Sequence, residues 1–304
     1  MGGVNPSGAD ARKPRLDAAA VGLIVGCCAL WGLNQVVVKA TIPYVAPLMQ
    51  GGLRSAIAAI LLLAFMRRRA IPVLAGDGSG RAGVAAGLLF GLEFCCINFG
   101  LHFTTASRMV VFVYLAPFVV AIGMPFISSS ERLVRSQVVG LVAAFGALAF
   151  AFQEGLAGAG AGPQQWLGDA RALLGGLLWG ATTLLVRATS LSTAAPERTL
   201  FFQLAISAPV LLAAAALAGE GLPPASLEGI ASVAFQSVVV AFASYLIWFW
   251  LLRHYPATRV SAFTFLTPVS GLLFGALLLG EPITASLLLG LAGIAVGIQL
   301  VNRR

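Results

Sequence analysis

Glu93 is the residue whose chemistry first asks for a reason. It lies about midway along an apolar stretch covering 82–101. A carboxylate at that depth in hydrocarbon is costly and is usually paired or functional. Arg54 lies in the preceding apolar stretch, 47–66. At a helical rise of 1.5 Å per residue, Arg54 is about 11 Å and Glu93 about 13 Å from the same membrane surface. An ion pair between neighbouring helices is therefore feasible, and two readings stay open: a structural bridge, or a substrate or proton site. A second set of polar groups follows two Trp-Gly dipeptides. Asn34 and Gln35 come after Trp31-Gly32, and Thr182 and Thr183 after Trp179-Gly180. Inside an apolar wall such groups can satisfy the polar atoms of a solute, or hydrogen-bond between helices. Asn98, Tyr114, Tyr245 and Trp248 are further candidates to line a cavity, with lipid-facing positions the alternative for the last two.

Other chemistries find little support. Nucleophilic catalysis needs a base beside a Ser or Cys. The two histidines, His102 and His254, fall at opposite ends of apolar runs, and no Gly-x-Ser-x-Gly, His-Glu-x-x-His or phosphate-cradling loop occurs. An enzyme is not expected. The four cysteines form the adjacent pairs Cys27–Cys28 and Cys95–Cys96. Neighbours on a helix point about 100° apart, so neither pair suits a disulfide or a metal clasp. No metal or cofactor is expected.

The elements that must position these residues are helices in a bilayer. The chain has 304 residues, 59% hydrophobic and 10% charged, with mean hydropathy +0.93. A soluble domain carries about 25% charged residues. The apolar residues arrive in ten runs: 20–39, 47–66, 82–101, 108–127, 137–153, 172–188, 199–218, 230–252, 259–279 and 284–301. Their lengths match about 30 Å of hydrocarbon. Ala and Leu dominate without alternation, which suits helices that satisfy their own backbone in lipid. The expected class is an all-α polytopic membrane protein of ten transmembrane helices.

The runs are written twice. "ALWGLNQVVVKAT" at Ala29–Thr41 returns as "LLWGATTLLVRAT" at Leu177–Thr189, 148 positions on, and "ASRMVVFVYLAP" at Ala106–Pro117 returns as "ATRVSAFTFLTP" at Ala257–Pro268, 151 positions on. Five runs per unit is odd, so the second unit enters the membrane inverted. The division expected is a tail 1–19, a first repeat 20–153, a flexible external linker 154–171, a second repeat 172–301 and a tail 302–304. With both termini cytoplasmic, inside segments hold fifteen of the 19 Lys and Arg and outside segments only Lys39, Arg108 and Arg171, the bias that sets orientation. The same bias accounts for the net charge of +8 without nucleic acid. The repeat also tests the charges. Aligning Pro47 with Pro196 puts Gln203 at the place of Arg54, and aligning Phe99 with Phe249 puts Ala243 at that of Glu93. Pro117 and Pro268 are repeat partners inside apolar runs. With Gly32 and Gly180 they are candidate hinges, fixed bends being the alternative.

The duplicated unit, the Trp-Gly of its first helix, the "ASR…LAP" and "ATR…LTP" stretches and the "GEP" at Gly280–Pro282 resemble the EamA-type branch of the drug/metabolite transporter superfamily. The first half departs from it, keeping only Glu131 of the "GE" turn. The resemblance implies a secondary transporter exporting small metabolites, and within that branch the chain is similar to amino-acid exporters of the YddG type, aromatic amino acids included. The expectation is an inner-membrane exporter working by alternating access at the repeat interface. Gradients supply its energy, since no ATP-binding motif is present. Its partners are a small-molecule substrate and the lipid bilayer, and it acts as a monomer. The alternatives are a proton-coupled exporter of cationic drugs using Glu93 and, from another class, a membrane-embedded enzyme or receptor.

Overall fold

A computed structural model of the protein describes residues 13, 15–157, 162–280 and 284–303. The elements are α1 (Ala18–Thr41), α2 (Pro47–Arg68), α3 (Ser79–Gly100), α4 (Ala106–Val113), α5 (Ala116–Ile127), α6 (Arg135–Ala151), α7 (Gln153–Ala157), α8 (Gln165–Ala188), α9 (Pro196–Leu217), α10 (Leu227–Phe235), α11 (Tyr245–His254), α12 (Ala257–Ala262), α13 (Leu266–Leu279) and α14 (Ala285–Asn302). No strand occurs among the described residues. Local chemistry sets many of the starts. Asp17 accepts from the Ala20 amide to cap α1, and Thr105, Ser226 and Thr284 cap α4, α10 and α14 in the same way. Pro47 and Pro196 open α2 and α9, where the missing N–H costs nothing.

Eight helical segments are long and apolar enough to cross a membrane, counting α4 with α5, α10 with α11 and α12 with α13 as continuous rods. The α6 helix is apolar but shorter, at 17 residues. The 24-residue α8 is long, but it carries Asp169, Arg171 and Arg187. Eight spans are therefore evident by length and composition, against the ten expected. The segment before α8 also differs from the expected linker. Residues 153–157 form α7, and α8 begins at Gln165 rather than 172, so that helix runs beyond the apolar stretch and takes in Asp169 and Arg171.

Two rods break at proline. Pro117 has no N–H to give the carbonyl four residues back, and α4 ends at that residue, Val113. Pro268 acts likewise: the carbonyl four residues back belongs to Thr264, which lies in a short 3-10 turn, Phe263–Phe265, between α12 and α13. Pro125 and Pro209 sit inside α5 and α9, which run on through them. A third irregularity had no sequence signal. Between α10 and α11 the nine residues Gln236–Ser244 wind as a π-helix.

The helices pair across the two halves of the chain. Along their lengths α2 packs on α9, α6 on α14, α1 on α13, and α8 on α4 and α5, while α3 lies against both α8 and α9. Small residues set these distances. A Cβ on Gly140 or Gly297 would stand 2.6 Å from backbone atoms of the facing helix in the α6–α14 pair, the close approach that membrane helices use in place of a hydrophobic driving force.

Polar contacts gather at the two ends of the bundle. At the end holding the start of α1, Arg198 donates to Asp77 and to the Pro72 carbonyl. There Arg187 pairs with Glu131 and donates to the Leu252 carbonyl, and Tyr255 and Lys13 both donate to Asp17. Asp17 is held at about 2, chiefly by the Lys13 hydrogen bond. Asp77 is also held at about 2, chiefly by the Ser79 hydroxyl and amide. At the other end Arg108 makes a two-pronged contact with Asp169, and Gln236 donates to Gln50 and Ser232. Arg187 and Arg198 are two of the fifteen basic residues assigned to the inner side, Arg187 at the end of the run 172–188 and Arg198 just ahead of the run 199–218. Both lie within helices and are buried, because each has found partners there.

Candidate substrate site

The centre of the bundle is aromatic. Trp31 on α1 meets Tyr245 and Trp248 on α11 edge-on, at centroid distances of 5.9 and 5.5 Å. Tyr245 also meets Phe90 of α3 at 6.1 Å, and Phe90 packs on Phe94 at 5.0 Å. Tyr114, at the break between α4 and α5, meets Trp179 of α8 at 5.4 Å. Such edge-to-face pairs add about 0.5–1.5 kcal/mol beyond their buried area. The expected residues Trp31, Tyr114, Trp179, Tyr245 and Trp248 thus fall into two aromatic contacts built from both halves of the chain. Trp31 is fixed further by donating its indole N–H to the Ser244 hydroxyl at 2.8 Å. Ser244 in turn donates to the Val240 carbonyl inside the π-helix.

Glu93 and Arg54 are buried beside this aromatic group, at 6% and 4% exposure. They do not form an ion pair: Glu93 Oε2 and Arg54 Nε and Nη2 are buried with no hydrogen-bond partner. Arg54 stacks over the Phe94 ring at 4.8 Å, and it is the charged group that Glu93 senses most strongly. Tyr245 lies within the field of both. The bridge that depth alone made feasible is therefore not made, since Phe94 takes the guanidinium face.

The polar pairs after each Trp-Gly behave differently from one another. Thr182 and Thr183 are buried, and their hydroxyls return to the Leu178 and Trp179 carbonyls of their own helix. Asn34 keeps a buried Oδ1 without a partner. Gln35 is exposed, and its Oε1 lies over Gly271 of α13. No hydrogen bond joins the two pairs to each other. Asn98 donates to the Phe94 carbonyl on its own helix at 2.8 Å. A crevice too narrow to admit a water molecule runs beside Pro117, Trp179, Thr183, Ser261 and Thr264, so the proline breaks of the two halves share one wall.

Gly32 and Gly180 have a definite packing role. A Cβ on Gly32 would stand 2.6 Å from Gly271 N and Ser270 Cβ, and one on Gly180 would stand 2.5 Å from Val119 Cβ. Gly32 and Gly180 are 148 positions apart, and Val119 and Ser270 are 151 apart. The same relation holds one level along. Cys28 donates its thiol to the Phe263 carbonyl at 3.3 Å, and a Cβ on Gly176 would stand 2.9 Å from the Phe112 carbonyl. Each helix carrying a Trp-Gly thus presses against the broken rod of the opposite half. The alignment of Ala243 with Glu93 does not carry over into space. Ala243 is exposed whereas Glu93 is buried, because the π-helix changes the register of that rod.

Phe90, Phe94, Ser244 and the Gln50–Gln236 contact escaped the sequence reading. Phe90 and Phe94 had one usable signal, their position three residues before and one after Glu93. The "GEP" motif falls mostly outside the described residues, since Glu281 and Pro282 are among those not described.

A bundle of apolar helices that encloses an aromatic, partly charged centre between two related halves defines a multi-pass membrane transporter. The model of the EamA-like transporter family matches residues 18–153 and 166–303. The chain belongs to that family, whose members are transporters and not enzymes. It is 29% identical over 279 residues to the "Probable amino-acid metabolite efflux pump" of Salmonella typhimurium, covering 89% of this chain and 90% of the relative. It is 28% identical over 279 residues to the protein of the same name in Escherichia coli, covering 89% and 90%. It is 26% identical over 280 residues to the "Uncharacterized transporter YoaV" of Bacillus subtilis, covering 90% and 94%. A solved crystal structure superposes with a TM-score of 0.80 at 18% identity, covering 94% of this chain and 96% of the other, and so shares the fold.

Proposed function

We propose that the protein is a secondary-active exporter of amino acids, neutral and aromatic ones among them, working by alternating access between two inverted five-helix repeats. In this reading it is a monomer in a bacterial inner membrane, with ten spans and both termini in the cytoplasm. The observation that carries the proposal is the unpartnered polar atoms of Glu93 and Arg54, held against an aromatic surround. Leaving such groups unsatisfied costs about 1–3 kcal/mol each and more for charges, so the arrangement is better explained by a polar solute than by folding alone. The matched contacts of Gly32 and Gly180 with the opposite half support the inverted repeat. The printed names of the Salmonella and Escherichia relatives support an amino-acid metabolite as cargo.

The test is flux of labelled phenylalanine and leucine from proteoliposomes holding this protein alone, with and without an imposed pH or voltage gradient. Saturable flux above protein-free vesicles is expected. Flux of neither amino acid under any gradient overturns the reading. A second reading, export of cationic drugs against protons, is favoured by one observation, the unpartnered carboxylate oxygen of Glu93. It requires cation flux that Glu93→Gln uncouples from the pH gradient.

A further inference from the structure

Among the described residues, one buried ion pair is built as a structural bridge. Arg187 and Glu131 have side chains 2% and 4% exposed and touch directly. Each also has an auxiliary hydrogen bond, Arg187 Nη1 donating to the Leu252 carbonyl and Glu131 accepting from the Thr258 amide, which leaves Arg187 Nε without a partner. Glu93 and Arg54 are buried to the same degree and lie within each other's field, yet they make neither the direct contact nor the auxiliary hydrogen bonds. Nor does the fold demand a guanidinium at that place, because the second half carries Gln203 in the position corresponding to Arg54, also buried.

From this contrast we infer that Arg54 and Glu93 are the two halves of a zwitterion clamp, in which the Arg54 guanidinium takes the α-carboxylate of the solute and the Glu93 carboxylate takes its α-ammonium. The inference rests on the amino-acid reading above and assigns the atoms of that site. An α-amino acid carries its two charges on one carbon. It can bridge an acid and a base that feel one another but do not touch, and it supplies the charge-assisted hydrogen bonds both lack. The pair carries no net charge, so a zwitterion leaves none behind. A lone cation would leave Arg54 buried and uncompensated, and a lone anion would do the same to Glu93. Arg54 is fixed by the Phe94 face, and Phe90, Tyr245 and Trp31 continue the aromatic surface beside it. The solute's side chain lies on that surface, so an apolar or aromatic amino acid is expected to fit better than a charged one.

The experiment compares three probes as competitors of phenylalanine flux in proteoliposomes: phenylalanine itself, phenethylamine, which lacks the carboxylate, and phenylpropionate, which lacks the ammonium. With the wild type, each analogue is expected to compete about tenfold or more weakly than phenylalanine, the worth of one lost charge-assisted contact. Arg54→Gln is expected to lower phenylalanine flux at least tenfold while phenethylamine gains relative to phenylalanine. Glu93→Gln is expected to do the converse, with phenylpropionate gaining. Arg54→Lys and Glu93→Asp should keep the wild-type ranking with reduced flux. A reversed ranking cannot come from a merely damaged fold. Folding is followed by gel filtration in detergent, and if a glutamine variant does not fold, the wild-type ranking decides alone. Analogues that compete as well as phenylalanine overturn the clamp while phenylalanine flux upholds the exporter. Phenethylamine competing better than phenylalanine also overturns the clamp, in favour of cation export. Absence of amino-acid flux in the wild type overturns the exporter, and the clamp with it.

Discussion

At the scale of single residues, burial and partnership separate the charges that hold the fold from those proposed to meet a solute. Glu131 and Arg187 belong to the first kind. Removing one partner leaves the other charge stranded in a low-dielectric interior, whereas removing both leaves only a packing change. Glu131→Gln alone should therefore destabilise the protein by about 3–5 kcal/mol. The double change Glu131→Gln with Arg187→Met should recover most of it, as thermal unfolding in detergent will show. Asp17 belongs to the periphery. Its carboxyl is depressed from 3.8 to about 2 by Lys13, the Ala20 amide and Tyr255. A depressed acid stabilises the folded form above its unfolded value and loses that contribution as pH falls through the folded one. The tie from the start of α1 to Tyr255 should thus be intact at every pH above about 4 and should loosen between roughly 4 and 2. Protection of the α1 amides from hydrogen exchange should fall in that window, and Asp17→Asn should abolish the pH dependence.

At the scale of elements, two of the close helix crossings are related by the repeat. The Trp-Gly glycines admit the opposite broken rod at distances no Cβ can share, with Ser270 and Gly271 against Gly32 and Val119 against Gly180. Gly32→Val and Gly180→Val should each destabilise the bundle by about 1–3 kcal/mol through overpacking. Gly22→Ala and Gly26→Ala, on the same α1 but with nothing within 4 Å of the new Cβ, should be neutral or stabilising, since Ala is the better helix former by about 1 kcal/mol. Equal effects at all four sites, read by thermal unfolding, would show that the crossings are looser than the structure has them. The breaks before Pro117 and Pro268 lie next to these crossings. The rods therefore lose backbone hydrogen bonds close to where these crossings hold them.

At the scale of the whole molecule, each end of the bundle is tied by its own polar set. One end is held by Glu131–Arg187 and Asp77–Arg198. The other is held by Arg108–Asp169 and by the buried amides of Gln50 and Gln236. Alternating access requires one set to part while the other holds. The proposed orientation places the first set in the cytoplasm. A reporter fused after residue 304 should be active only in the cytoplasm, and one inserted at Gly162, an exposed turn, only outside. The opposite result at either point would overturn the inverted arrangement.

How much of this was legible in the sequence follows from the range of each interaction. The helical class was legible because the bilayer forces each apolar segment to satisfy its own backbone, and the breaks only in part, because proline lacks an N–H wherever it is placed and yet α5 and α9 run on through Pro125 and Pro209. The Trp-Gly duplication was visible as a repeat, but its meaning was not. Gly32 needs Ser270 and Gly180 needs Val119, partners from the other half of the chain. The π-helix from Gln236 to Ser244 carried no local signal, since those residues suit an α-helix as well. Tertiary contacts, such as Trp31 on Ser244 and Gln236 on Gln50, are what accompany its winding. The same holds for the charges. Composition determined that Glu93 and Arg54 lie in apolar runs and that their cost must be met. Whether they met each other was decided only when Phe94 came to lie under the guanidinium, because an ion pair depends on the approach of two side chains from different helices, and no spacing along one chain encodes it.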